Sequence, residues 1–465
     1  MDRDAIERAV QLAGVSLPPD TEINIIGGDP ILKSPVRLGE GAAVARALTG
    51  VGASEVWRTK TGRPQAIEVD ARHAAATLHS ARRLEFLGEQ PDFLAAPPRA
   101  LAMTDIFDAR DGRHVQLHGS FTDAPKVLEV LGLPEDATTY DLRRTVRDWD
   151  AFTLEAALIE RRLCGAAIRT REEWAAHPQG QAIADRPTVT ITKIGEAPPE
   201  PLPDGPRPLS GVRVLDLTRV LAGPTCARTM AEHGADVLHV IAPHLARTGL
   251  FEVDTGFGKR EAFVDLNDPQ QADGLRDLVR QGDVFSQGYR LGTLARRGFG
   301  PEELAKLRPG IVYVAENCYG PVGPWAERPG WEQLAQAATG MEAGEGLHAP
   351  DGRPRLAPAA VNDYSTGYFA AYGAMMALVR RATEGGSWLV QVSLSQTSMW
   401  YQRLGTDCDP EAAELGDLSP FFAETDSAYG RLRHLKPALS LSETPPHWAT
   451  GPRHLGSDDA AWMPR

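Results

Sequence analysis

From residue 212 onward the apolar positions of this chain fall into two alternating rhythms. Val212-Arg-Val-Leu-Asp-Leu is a short β-branched run. It is followed by a turn at Ala222-Gly-Pro and by the amphipathic stretch Cys226-Ala-Arg-Thr-Met-Ala-Glu-His, which Gly234 closes before a second run, Asp236-Val-Leu-His-Val-Ile. Strand, helix and strand in this order form a parallel βαβ unit. The rhythm continues through a helix near Pro269 to Gln281, the strand Asp283-Val-Phe-Ser, a helix near Pro301 to Leu307 and the strand Gly310-Ile-Val-Tyr-Val-Ala. A helix rich in small apolar residues follows from Asp363 to Arg381, then a Gly385-Gly386 turn and the strand Trp388-Leu-Val-Gln-Val-Ser-Leu. The predicted fold class is α/β, a Rossmann-like doubly wound parallel sheet with a smaller α/β domain.

Punctuation divides the rest. Six prolines between Glu196 and Pro208 leave little chance of helix or central strand. Ile106 to His118 reads as a hairpin turning at Asp111-Gly112, and Thr170 with Glu173 forms a capping box. An internal repeat governs the N-terminal region: shifting residues 29–75 by 323 positions places Pro35 on Pro358, Ala47 on Ala370, Gly50 on Gly373, Val56 on Val379, Arg58 on Arg381, Gly62 on Gly385 and Val69 on Val392, with no gap. The expected organisation is a degenerate partial repeat of the large domain (1–85), a small α/β domain (86–200), a proline-rich linker (201–209), a Rossmann-like domain (210–408) and an irregular tail (409–465). Residues 1–85 and 363–408 are expected to lie side by side about an approximate two-fold axis, an intrachain pseudo-dimer; a further homodimer is left open.

Charge narrows the partners. With 62 acidic against 49 basic residues among 465, the chain carries −13, which argues against nucleic acid or an anionic membrane as a partner, since both are polyanions. The start is charged and no run of about 18 apolar residues occurs, so neither a signal peptide nor a membrane span is expected. Cys164, Cys226, Cys318 and Cys408 are scattered, which suggests no zinc site and no disulfide framework and fits a cytoplasmic protein. Nucleotide-phosphate and hydrolase signatures are absent, and the first βα turn, Leu221-Ala-Gly-Pro-Thr, has one glycine where a dinucleotide fold needs three. An anionic ligand would need a local basic patch; Lys259, Arg260, Arg290, Arg296 and Arg297 are candidates, although each alone reads as readily as a solvated surface charge. An aspartate before an apolar helix, as Asp363 is, is more often an N-cap than a nucleophile. His233 and His239 read as packed rather than catalytic.

Pro208-Leu-Ser-Gly-Val-Arg-Val-Leu-Asp-Leu-Thr-Arg-Val-Leu-Ala-Gly-Pro closely resembles the opening of the family III CoA-transferases, the CaiB/BaiF group. So do Gly234-Ala-Asp-Val, Gly258-Lys-Arg, Tyr289-Arg-Leu-Gly-Thr-Leu-Ala-Arg-Arg-Gly, Trp331-Glu-Gln-Leu-Ala-Gln-Ala-Ala-Thr-Gly and Asn362-Asp-Tyr-Ser-Thr-Gly. Gly165 to Pro178 is similar to the segment by which that family returns from its small domain. The resemblance implies transfer of CoA between an acyl-CoA and a small carboxylic acid, with no permanently bound cofactor. It implies Asp363 as nucleophile, Glu332 in the pocket motif Gly330-Trp-Glu, Arg296 near the CoA phosphates and Val264 beside the adenine. Departures are visible: Ile241-Ala-Pro and Gln287-Gly-Tyr replace the usual strand-end residues, and Trp331 stands where the racemase branch has a histidine. In the repeat, Glu40 stands where Asp363 does, followed by Gly41-Ala-Ala, and that copy is expected to be structural. An acyl-CoA racemase or lyase, and a non-catalytic acyl-CoA-binding protein, are the alternatives.

Overall fold

The computed structural model describes residues 1–94 and 103–464. Its centre is a seven-stranded sheet made of β1 (Val189–Gly195), β2 (Arg213–Leu217), β3 (Asp236–Ile241), β4 (Lys259–Phe263), β5 (Val284–Gln287), β6 (Val312–Asn317) and β7 (Ser387–Ser393), in the spatial order β4-β3-β2-β5-β6-β7-β1. The strands from β2 to β7 are parallel and β1 closes one edge antiparallel to β7. Taken alone, the six parallel strands run in the doubly wound order, which reverses between β2 and β5 and opens a crevice at their carboxyl ends. The fold class is thus as the periodicity predicts. β1 lies within the stretch assigned to the small domain, but its alternate residues complete the large sheet.

The small domain is a three-stranded antiparallel sheet, Ile106–Asp108, His114–Leu117 and Gly165–Ala167, packed against the helices Ala124–Leu131, Thr139–Val146 and Ala151–Glu160 around Phe107, Val115, Val127 and Leu154. The hairpin and the Thr170–Glu173 capping box form as their sequence signals require.

Two 24-residue helices, α1 (Leu38–Thr61) and α4 (Val361–Glu384), pack along each other in the interior. Both are rich in alanine and glycine and buried on nearly every side, which permits close approach. A Cβ on Gly50 would come within 2.8 Å of Ile67, and one on Gly373 within 2.6 Å of Val390; the two contacts are related by the same 323-residue shift. The shift also relates the caps that follow: Asp70 accepts the backbone N–H of Arg72 and His73, and Ser393 that of Gln396, each opening the next helix. Ile23–Ile26, Ile67–Asp70 and Ser440–Leu441 form a sheet, parallel then antiparallel, that reproduces the arrangement of β6, β7 and β1. Gly52 lies against Met375, which is its own counterpart under the shift, as a residue near a two-fold axis must.

The tail is more ordered than its turn-rich composition suggests. Phe422–Ser427 and Gly430–Leu435 form a hairpin whose second strand pairs with Glu85–Phe86, and Ser440–Leu441 completes the N-terminal sheet. The pairings with Glu85–Phe86 and with the N-terminal sheet join residues more than 300 positions apart, so no local periodicity announces them. Among the described residues no helix is long and apolar enough to cross a membrane.

Candidate active site

Asp363 is the third residue of α4, with Ala360 in the N-cap position, so its carboxyl is not the cap that a sequence reading favours. It points from the first helical turn into a cavity of about 420 Å³. Glu332 opens α3 (Glu332–Thr339) directly after Trp331. Its Oε1 accepts the backbone N–H of Asn362 at 3.0 Å, and both oxygens accept Gln336 Nε2 at 2.9 and 2.8 Å, which pins the start of α4 to the start of α3.

The carboxyl pKa values in this cluster are shifted upward. Burial raises the Glu332 carboxyl to about 7, against the opposing effect of its hydrogen bonds. Burial also pushes Asp363 well above the ordinary carboxylate range, and the nearby charges of Glu332 and Glu316 add to it. Glu316, at the end of β6, rises to about 8 through burial and the field of Asp216. Glu342 is fully buried, neither of its oxygens has a hydrogen-bond partner, and burial with Glu332 nearby holds it neutral. No described cation is ion-paired with Asp363, Glu332 or Glu342.

Three parts of the chain build the cavity. His118, Ser120 and Phe121 come from the small domain: the Trp331 ring stacks on His118 at 5.3 Å, receives the edge of Phe121 at 5.7 Å and donates Nε1–H to Ser120 Oγ at 2.8 Å. Burial depresses His118 to about 3, so the imidazole is neutral. Val220, in the turn between β2 and α2 (Ala222–Glu232), has φ 70°, and Ser120 and Phe121 have φ 45° and 62°. Three non-glycine residues in the left-handed region on one cavity wall are backbone outliers held by their surroundings. Leu78, His79, Ala81 and Arg82 come from the N-terminal repeat. They are anchored by the Ala81 N–H, which donates to Tyr364 Oη at 3.0 Å, while that hydroxyl donates to Asp254 at 3.1 Å and Arg228 pairs with Asp254 at 2.9 Å.

The other end of the helix pair is built the same way with other side chains. Glu40 is the third residue of α1, and Asp29 accepts the N–H of Gly39 at 3.0 Å and of Glu40 at 2.8 Å, the capping role that Glu332 has on α4. Burial raises Asp29 to about 6. Here, however, Arg37 lies 3.3 Å from Glu40 and 2.8 Å from Asp407, in a cavity of about 260 Å³ whose wall includes Leu404 and Gly405.

Residues 209–406 match the family model described as CoA-transferase family III. An acyl-CoA transferase of Gibberella moniliformis is 34% identical over 415 residues, covering 81% of this chain and 73% of that protein. The chain belongs to CoA-transferase family III. The acetyl-coenzyme A transferase nodX of Hypoxylon pulicicidum is 35% identical over 332 residues, 66% of this chain and 56% of its own length. The crystal structure of Rv3272 from Mycobacterium tuberculosis is 30% identical with a TM-score of 0.40 over 42% of this chain and 57% of that one.

In this CoA-transferase the cations named from sequence part company. Arg290 and Arg296 follow β5 at the carboxyl edge of the sheet, exposed and without an ion-pair partner among the described residues. Arg297 is tied to the Leu266 carbonyl and Asn267. Lys259 and Arg260 do not join that cluster. They begin β4, so they stand at the opposite end of the strand from the crevice. Lys259 is buried with its ammonium on Asp216 (2.8 Å) and the Pro224 carbonyl, and Arg260 binds Asp236 and the Ala461 carbonyl. Neither offers a free charge to a phosphate. Val264 is buried in the helix-covered face of the sheet, just past β4. His239 is held between Glu261 and the Thr218 carbonyl and His233 is buried, both packed as expected. The cavity residues that sequence reasoning missed are His118, Ser120, Phe121, Val220 and Arg82; Val220 sits within the Pro208–Pro224 motif but nothing there marks it out, and the others lie in no motif whose spacing announces them.

Proposed function

We propose that the protein moves coenzyme A from an acyl-CoA to a carboxylic acid through a covalent intermediate on Asp363. The observation that carries this reading is the placement of Asp363 in the first turn of a buried helix, facing a cavity of about 420 Å³ that Glu332 also lines. An Asp363 carboxylate oxygen attacks the thioester carbonyl, and the CoA thiolate leaves to give a mixed anhydride. The thiolate then attacks the aspartyl carbonyl and expels the donor acid. The acceptor carboxylate attacks the resulting aspartyl-CoA thioester, the thiolate departs again and closes on the acceptor acyl group, and Asp363 is released. Over the full cycle one thioester is exchanged for another and each anhydride formed is consumed in the next step, so the reaction needs orientation rather than an external energy source or a further cofactor. Glu332 holds the start of α4 and keeps a proton next to Asp363 until substrate reorganises the cluster. Its place in the cavity suits it to support the nucleophile.

In this reading the CoA nucleotide lies in the crevice at the ends of β2 and β5, with Arg296 and Arg290 toward its phosphates and Val264 at the base of the adenine pocket. The two partial copies act as a pseudo-dimer within one chain, with a single working site. Four cysteines without disulfides suit a reducing, cytoplasmic setting. The test is to incubate the full chain with a panel of acyl-CoAs, add hydroxylamine and examine Asp363 by mass spectrometry. A hydroxamate at Asp363 is expected, absent in Asp363→Asn. Turnover with no modification at that residue would place the chemistry elsewhere.

A further inference from the structure

We propose that Arg82, delivered to the site by the N-terminal repeat, is a specificity-determining residue: it binds a second, distal carboxylate and so selects dicarboxylic acids and their CoA thioesters. The proposal rests on the reading of the Asp363 cavity as the transfer site and names the substrate class that site takes.

Arg82 lines the same cavity as Asp363, is exposed, and has no ion-pair or side-chain hydrogen-bond partner among the described residues. Its backbone is fixed beside the nucleophile, since the preceding N–H, that of Ala81, is bonded to the hydroxyl of Tyr364, the residue after Asp363. Among the described residues lining the cavity, Arg82 is the sole permanent cation. His118 is neutral through burial, and His79 is lowered by burial and, less strongly, by Arg83 and Arg82.

Two other polar groups of the wall are committed. Gln336 donates to Glu332 and accepts the Ala357 N–H at 2.9 Å, and Ser120 accepts from Trp331. A monocarboxylic acyl group asks nothing of a cation here, because its one carboxylate is the reacting group. A second carboxylate would leave water for a wall that includes Leu78, Phe121, Trp331 and Leu356 and would stay unpaired unless a guanidinium met it. Arginine suits that task through paired N–H donors that fit a carboxylate in two parallel hydrogen bonds. The Glu40 end supplies a contrast: the guanidinium in its cavity, Arg37, is already bound to Glu40 and Asp407, and position 405, which the 323-residue shift relates to Arg82, is glycine.

The test uses two acids of equal chain length, glutarate and valerate, titrated calorimetrically against the full chain with saturating CoA. Wild type is expected to bind glutarate at least about tenfold tighter than valerate, in line with one charge-assisted pair. Arg82→Gln should erase that ratio while leaving valerate and CoA affinities and the melting temperature unchanged, and Arg82→Lys should restore part of it. No preference for glutarate in wild type, an unchanged ratio in Arg82→Gln, or a loss confined to CoA would each overturn the proposal, the last by making Arg82 a phosphate contact. Because the readout is binding, it stands apart from the Asp363 adduct: a missing adduct with a retained Arg82-dependent ratio would defeat the transfer reading alone.

Discussion

The N-terminal ends of α1 and α4 are two solutions to one geometric problem. At each, a carboxyl in the first helical turn faces a cavity, and a second, buried carboxyl caps the helix from outside. At the α4 end, Asp363 and Glu332 are left without cations, and burial drives both toward the protonated form. At the α1 end, Arg37 sits on Glu40 and is itself fastened to Asp407, so the charge is neutralised locally. The difference teaches that one helix placement can carry two chemistries: a carboxyl kept out of water without a cation is driven toward its protonated form, whereas a paired one is a structural strut.

The comparison is broken most directly at Asp363. Asp363→Asn should lower CoA transfer by about 10³-fold or more with an unchanged circular dichroism spectrum and melting temperature, since the nucleophile is lost while the helix keeps its packing. Residual turnover near wild type would mean that the two ends are equally inert.

Glu332→Gln sharpens the electrostatic half. In the proposed cycle Asp363 attacks only as the carboxylate, so the rate should rise with pH along an acid limb. Removing the Glu332 charge lowers the pKa of Asp363 toward its ordinary value, and the limb should move to lower pH, worth roughly tenfold in rate at the acid end for each unit of displacement. Stability should respond in step. Glu332 has a folded value of about 7 against an ordinary 4.5, so the folded protein retains a proton that the unfolded chain has released. Stability is therefore greatest below about 4.5 and declines as pH rises through 7; the glutamine variant should lose that part of the slope in denaturant titrations across the same window. An unmoved acid limb would remove Glu332 from the coupling.

A packing test comes next. A Cβ at Gly52 would lie 3.0 Å from the terminal methyl of Met375 and 3.1 Å from its Cβ, so Gly52→Leu should cost about 1–3 kcal/mol by urea unfolding, through overpacking between α1 and α4. The smallest effect belongs to Glu40→Gln, which should leave turnover within about twofold. A large loss of activity there would make the α1 end a second working site.

Much of the sheet was legible because most of its parallel strands are short, largely apolar runs and the crossover helices are periodic, as Pro269–Gln281 shows by matching its predicted span; β4, Lys-Arg-Glu-Ala-Phe, is the exception. The 323-residue register could also be read, since α1 and α4 keep glycines and a terminal Gly turn in step. Other features were not legible, for definable reasons. Lys259 reads as a surface cation, because nothing in a one-dimensional pattern says that Asp216 waits in the next strand but one. The tail reads as irregular, because strands of two residues such as Ser440–Leu441 exist only through a partner hundreds of positions away. Arg82 lies in a stretch of arginines without periodicity, and only the crossing of that segment over α4 brings it to Asp363.

The contact between Gly52 and Met375 also bears on heredity. In an assembly of identical subunits, any substitution at the axis confronts a copy of itself, so a bulky residue there meets a bulky residue and a gap meets a gap. Fusing both halves into one gene lifts that constraint: position 52 can shrink while position 375 grows, a knob and its socket encoded separately. The same freedom extends outward to Glu40 and Asp363, which can drift apart in chemistry without either change being imposed on the other.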